Sequence, residues 1–151
     1  MPTSSKNLRG FTLIELLVVI GILAVLLTIT LIAINPARQF AQSNNTKRRS
    51  DILTILNAVG QYAADHKGIL PTGITNTYTE VASTGVNICA ALMPTYVSAL
   101  PVDPQDGTGN PITDCTGAYS TNYQIMVATG SSRVMVKAPN AEIGDVIEVT
   151  R

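Results

Sequence analysis

The chain has no tryptophan, two cysteines and a single histidine. So small a stock of thiol and imidazole leaves little material for metal or nucleophile chemistry. No G-x-S-x-G, H-E-x-x-H, P-loop or C-x-x-C pattern occurs in the 151 residues. His66, read as solvent-facing near a helix end, supplies no base for a triad, and Gly107-Thr108-Gly109 is a lone loop rather than a phosphate cradle. Charge is scarce as well. Charged side chains make up 13% of the sequence, about half the usual share. Formal net charge is zero, so charge alone suggests no nucleic-acid-binding surface. These shortages argue against an enzyme, and no cofactor is assigned.

What the sequence does contain is unevenly placed. Hydrophobic residues are 46% of the total, but between Phe11 and Ile34 the only ionisable side chain is Glu15. A run of that length meets the requirement for spanning a bilayer, about 20 residues. Composition then divides the chain into four regions: a polar, basic start (1–10) with Lys6 and Arg9; the apolar run (11–34); a polar, helix-like stretch (35–67); and a Gly-, Pro-, Thr- and Asn-rich remainder (68–151). The chain reads as one membrane-inserting segment carrying one small polar domain.

In the third region Ile52, Ile55, Leu56, Val59, Tyr62 and Ala63 fall at steps of three and four, one stripe of a helix. Lys47, Arg48, Asp51, Asn57, Gln61 and Asp65 are assigned to the opposite, solvated face. Gly68, with Pro71 just beyond, predicts the helix end. Pro36 lacks an amide donor and crowds the preceding turn, so a kink or short break is expected near Asn35. A helix running from Phe11 to Lys67 would be roughly 85 Å long, too long for a compact domain of this size, so one end is expected to project. In the last region 122–128, 133–138 and 145–149 read as strands, with turns at Gly130-Ser131-Ser132 and Pro139 to Gly144. They predict an antiparallel meander whose apolar face the helical stripe covers. The fold class is α+β: a long N-terminal helix, hydrophobic then amphipathic, packed on a small antiparallel sheet.

The N-terminus departs from a secretory signal peptide, whose apolar stretch of about 7–15 residues precedes its cleavage site. Here the run is longer, and the suitable small residue, Gly10, lies before it. The stretch from Arg9 to Ile20 (RGFTLIELLVVI) resembles the processing site of type IV prepilins and type II secretion pseudopilins. The resemblance implies a pilin-like fold, removal of residues 1–10 by cleavage between Gly10 and Phe11, and N-methylation of Phe11 by a prepilin peptidase. It further implies a single-pass inner-membrane precursor with its leader in the cytoplasm and its head outside. Filament assembly machinery and copies of the chain itself follow as partners, with membrane lipid before assembly and a cell-surface or periplasmic filament after it. Lys6 and Arg9 favour that orientation, whereas Arg38, Lys47, Arg48 and Arg49 lie on the other side, so the topology rests on the resemblance.

Glu15 is the unusual residue of the run. A carboxylate in hydrocarbon costs roughly 2.5 kcal/mol or more on insertion scales. Cleavage would create an ammonium at Phe11, four residues earlier, so Glu15 can pair with Phe11 of its own chain or of a neighbour. The resemblance implies the intermolecular pair, which would set subunit register. Gly21 and Ala24 could allow close helix approach.

Cys89 and Cys115 fall in the region placed outside the cytoplasm, where disulfides persist. They are expected to pair, with two buried thiols as the alternative. Between them, Leu100-Pro101-Val102-Asp103-Pro104 resembles a turn of major pseudopilins, although the usual Trp-Gly continuation is replaced by Gln105-Asp106-Gly107. Some pseudopilins hold calcium near this turn. Asp103, Asp106, Asn110 and Asp114 are hard oxygen donors of the appropriate kind, in a spacing that matches no EF-hand. The cluster Lys47-Arg48-Arg49 reads first as a solvated helix face, with inter-subunit salt bridges or an anionic surface such as DNA as sharper alternatives. Three roles remain in view: a type IV pilus subunit serving adhesion, motility or DNA uptake; a secretion pseudopilin; and a non-polymerising single-pass protein with an extracytoplasmic binding head.

Overall fold

A computed structural model describes residues 10–105 and 109–151. Its elements in chain order are α1 (Leu13–Ile34), α2 (Pro36–Asp65), β1 (Thr79–Ala82), α3 (Cys89–Leu92), β2 (Ser120–Val127), β3 (Val134–Ala138) and β4 (Ile147–Thr150). The chain divides into two compact units, Met1–Gln39 and Phe40–Arg151.

Helix α1 is 22 residues long, and none of them is buried. At about 1.5 Å per residue it extends roughly 33 Å, close to the hydrocarbon thickness of a bilayer. Its two hydroxyl residues are satisfied internally: Thr28 Oγ1 donates to the Ala24 carbonyl and Thr30 Oγ1 to the Leu27 carbonyl, both at 2.8 Å. An apolar medium requires such pairing. Asn35 ends α1 with φ 48° and ψ 79°, a left-handed conformation that Asn tolerates. Its Oδ1 also accepts from the Arg38 N–H at 3.3 Å, so one residue closes α1 and caps α2. Pro36 opens α2, where its missing amide costs nothing.

In the second unit α2 buries Ile52, Ile55, Leu56 and Val59. They share a core with Tyr123 and Ile125 of β2, Val134, Val136 and Ala138 of β3, and Ile147 of β4. At the far end Lys67 and Gly68 take φ 57° and 87°, and the Gly68 N–H returns to the Ala63 carbonyl at 2.7 Å, a C-terminal closure of the Schellman type. The four strands are all antiparallel in the order β1-β2-β3-β4. Side chains alternate as a half-covered sheet requires: Tyr123, Ile125 and Val136 point to the core, while Gln124, Lys137 and Glu148 form one cross-strand row on the other face.

The three-stranded meander expected from the sequence is present, and a fourth strand, β1, extends it. β1 carries no readable alternation because Val81 and Ala82 are both buried and its register slips between Glu80 and Ala82, as at a bulge. The turn that follows needs Gly85, since a Cβ there would collide with the Glu80 carbonyl. Between β1 and β2 the core is closed by Val86, Ile88, Cys89, Leu92 and Leu100, all buried, with α3 supplying two of them.

Candidate functional site

The processing segment begins in non-helical backbone. Gly10, Phe11 and Thr12 precede the first turn of α1, and Gly10 and Phe11 are exposed, Phe11 at 85%. Thr12 is the N-cap in a reciprocal capping box. Its Oγ1 accepts from the Glu15 N–H at 3.3 Å, and Glu15 Oε2 accepts from the Thr12 N–H at 2.8 Å and the Thr12 hydroxyl at 2.7 Å. The box gives two otherwise orphaned donors a partner at the helix start. The Glu15 carboxylate therefore already serves its own chain, with both bonds it accepts made to Oε2. A carboxylate offers about four acceptor sites, and among the described residues no donor bonds Oε1. Lys6 and Arg9 of the leader lie outside the described residues.

The basic cluster on α2 behaves differently from the solvated face assigned to it. Arg48 has 0% side-chain exposure. Its Nε and Nη2 grip Asp103 in a two-pronged pair at 2.7 and 3.0 Å. Nη1 donates to Glu142 Oε2 at 2.8 Å and Asn45 Oδ1 at 3.0 Å, and Nη2 also donates to Gln105 Oε1 at 3.2 Å. All five guanidinium donors thus have acceptors. Asn45 is buried beside it and donates to the Glu142 carbonyl and to Asp145, at 2.8 and 3.1 Å. Its Oδ1 also accepts the Glu142 N–H at 2.9 Å. Lys47 pairs with Asp51 at 3.2 Å and donates to the Val102 carbonyl at 2.9 Å. Arg49 pairs with Asp145 at 2.7 Å. Asp51, also assigned to solvent, is buried and accepts from the Tyr123 hydroxyl at 2.8 Å. Each cation of the cluster is matched within its own domain, so it is not a field of free positive charge. Donation from Arg48, then Asn44, holds the Glu142 carboxyl below the usual range. Burial, then Asp51, pushes the Tyr123 hydroxyl well above its ordinary value.

A signal for Arg48 existed in the sequence. It stands four residues before Ile52 and seven before Ile55, on the apolar stripe itself, so its angle on the helix, rather than its charge, marked it as inward-facing. Its partners gave no such signal, because Asp103 and Glu142 lie 55 and 94 positions away.

Among the described oxygen donors near the pseudopilin-like turn, Asp103 and Asp114 are already engaged within the chain. Both Asp103 oxygens are taken by Arg48, and Oδ1 additionally by the Gln105 N–H at 2.9 Å. Asp114 turns back on Thr116, accepting its N–H and hydroxyl at 2.8 Å. Asn110 is exposed, and Asp106 lies outside the described residues. Among the described residues no group of three or more His, Cys, Asp or Glu could hold a metal. Cys89 and Cys115 are joined as a disulfide, their Cα atoms 5.5 Å apart. His66 is exposed and stacks on Tyr62 at 3.9 Å.

Residues 5–31 match the family model described as the prokaryotic N-terminal methylation motif. No curated protein and no solved structure matches the chain. The motif implies processing by a prepilin peptidase and handling by filament assembly machinery, and with the apolar helix α1 it indicates a membrane-anchored precursor. On a pilin-like α+β fold, the chain carries the motif that is the hallmark of type IV pilin and pseudopilin precursors.

Proposed function

We propose that this chain is the precursor of a structural subunit of a type IV pilus, polymerised through its N-terminal helix and without catalytic activity. The observation that carries the reading is Glu15: a lone carboxylate in a fully exposed apolar helix, four residues after Phe11 and with no donor on Oε1 among the described residues. In this reading the precursor sits in the inner membrane with residues 1–10 in the cytoplasm and its head outside. Cleavage between Gly10 and Phe11 removes the leader, and methylation of the new N-terminus retains a positive amine. That amine on one copy meets Glu15 of another as the helices pack. The Gly10–Phe11 bond is suited to cleavage because it lies ahead of the first helical turn and is exposed. The assembled filament would serve adhesion, motility or DNA uptake at the cell surface.

The pseudopilin reading is favoured by one feature, the Leu100–Pro104 turn, in which Leu100 and Asp103 are buried. Under that reading the filament is a short periplasmic element of protein secretion.

The test is mass spectrometry of the N-terminal peptide from the native, membrane- or filament-derived protein. The expected peptide begins at Phe11 and carries one added methyl group. Filament imaging then separates surface pilus from pseudopilus. A chain beginning at Met1 or Pro2 in its native host would instead make this a single-pass anchor with an extracytoplasmic binding head, and the role given to Glu15 would fall.

A further inference from the structure

Gly60 stands inside α2, where glycine is less stable than alanine because it loses more backbone freedom on folding. Its backbone is helical and makes no use of the left-handed region. A Cβ added there would meet nothing closer than Arg151 Nη1 at 3.6 Å and Arg151 Cδ at 3.8 Å, ordinary van der Waals distances. Neither the backbone nor the packing therefore requires glycine at this position. What the missing side chain does is leave a hollow open.

The hollow is a mostly apolar cavity of about 280 Å³, walled by Leu56, Ala63, Leu70 and Val134 around Gly60. It runs from Leu56 and Val134, which are buried, to Ser132 and Arg151, which are exposed. An apolar cavity of about 150 Å³ suffices elsewhere to bind benzene. This one therefore has room for a short hydrocarbon chain, while being smaller than most sites for drug-sized ligands.

Its polar end is cationic, and the cation is held in place. The Arg151 backbone is tied to Val134, its N–H donating at 2.9 Å and its carbonyl accepting at 2.8 Å. The side chain crosses to α2, where Nη1 donates to Asn57 Oδ1 at 2.7 Å. Among the described residues Nε and Nη2 have no acceptor, and Arg151 pairs with no carboxylate. That same Nε–Nη2 edge is the one by which Arg48 grips Asp103 at 2.7 and 3.0 Å. Its planar geometry matches the two oxygens of a carboxylate. An exposed arginine by itself selects nothing, but a fixed fork at the mouth of an apolar hollow selects a molecule charged at one end and oily at the other.

We infer that the cavity beside Gly60 binds a small amphiphilic anion, an aliphatic carboxylate of medium chain length. Its alkyl chain lies against Leu56, Leu70 and Val134, and its carboxylate meets the Nε–Nη2 edge of Arg151. A neutral amphiphile would fill the hollow and leave the fork unmatched, and a cationic one would be repelled. The site lies wholly within the second unit, so it does not depend on whether the chain polymerises.

The test uses the full chain in phosphatidylcholine nanodiscs and a photoreactive octanoate with a diazirine near its alkyl end, the labelled peptides being mapped by mass spectrometry. Labelling is expected within residues 56–70 and 132–134, displaced by excess octanoate and not by octanol or octyltrimethylammonium. Gly60→Leu, which fills the hollow, and Arg151→Gln, which removes the fork, are each expected to reduce it severalfold. Arg151→Gln keeps the backbone pairing to Val134 and so reports on the site even where Gly60→Leu lowers the thermal melt. Label confined to α1 would mean partition into lipid only and would overturn the inference. So would octanol displacing the probe as well as octanoate does, or labelling unchanged by Arg151→Gln. None of these outcomes touches processing at Phe11, so the filament reading stands or falls separately.

Discussion

Arg48 is the residue on which the head's polar interior turns. Taking a guanidinium and the Asp103 carboxylate fully out of water, with Glu142 partly withdrawn, is costly, and their mutual attraction offsets that cost only when every donor has an acceptor. Here the match is complete, and it ties α2 to two segments far along the chain, the turn at Asp103 and the connection at Glu142. Arg48→Met is expected to destabilise the protein by about 3–5 kcal/mol, because Asp103 is left buried and unpaired. Adding Asp103→Leu should restore part of that loss. Arg48→Lys should not, since a point ammonium cannot reproduce the planar fork. Chemical denaturation of the full chain in detergent, run as a double-mutant cycle, measures all three. If Arg48→Met and the double variant are equally unstable, the unpaired carboxylate is not the cause.

At the scale of elements, the amphipathic half of the helix and three strands were legible because their periodicities are local. Tyr123 and Ile125 alternate with Gln124 and Met126, and Ile52, Ile55 and Val59 recur at helical steps, so inward faces could be read directly. Strand ends differ from the expected 122–128, 133–138 and 145–149 by one or two residues, the usual latitude for element ends. The stretch between β1 and β2 was not legible. Its buried residues, from Val86 to Leu100, are held by tertiary contacts and one short helix rather than by a repeat. The Cys89–Cys115 bond closes a loop with a sequence separation of 26, which by the chain-entropy account is worth about 3.5 kcal/mol. Reduction should lower the denaturation midpoint accordingly. It should also raise amide exchange most between residues 89 and 115, and uniform loosening across the sheet would argue against a local staple.

For the whole molecule, the two units answer to different solvents. The first exposes every residue of α1 and suits lipid or the helices of other copies, whereas the second closes a core of its own. Glu15→Ala removes a costly carboxylate from the apolar run, so membrane insertion should be unaffected. Loss of its capping bonds to Thr12 should cost about 1 kcal/mol at the helix start. Assembly is expected to fail nonetheless if Glu15 meets the Phe11 amine of another copy. Normal filament yield from this variant, scored beside an insertion assay, would remove that pairing.

The sequence alone determined the apolar span, the Gly10–Phe11 motif and the meander, because each is written in contiguous residues or a short repeat. Only the tertiary structure decided that Arg48 lies inside, that Asp103 answers it rather than a cation, and that a cavity opens beside Gly60. Those outcomes join residues dozens of positions apart, and no local pattern states which distant acceptor a buried charge will find.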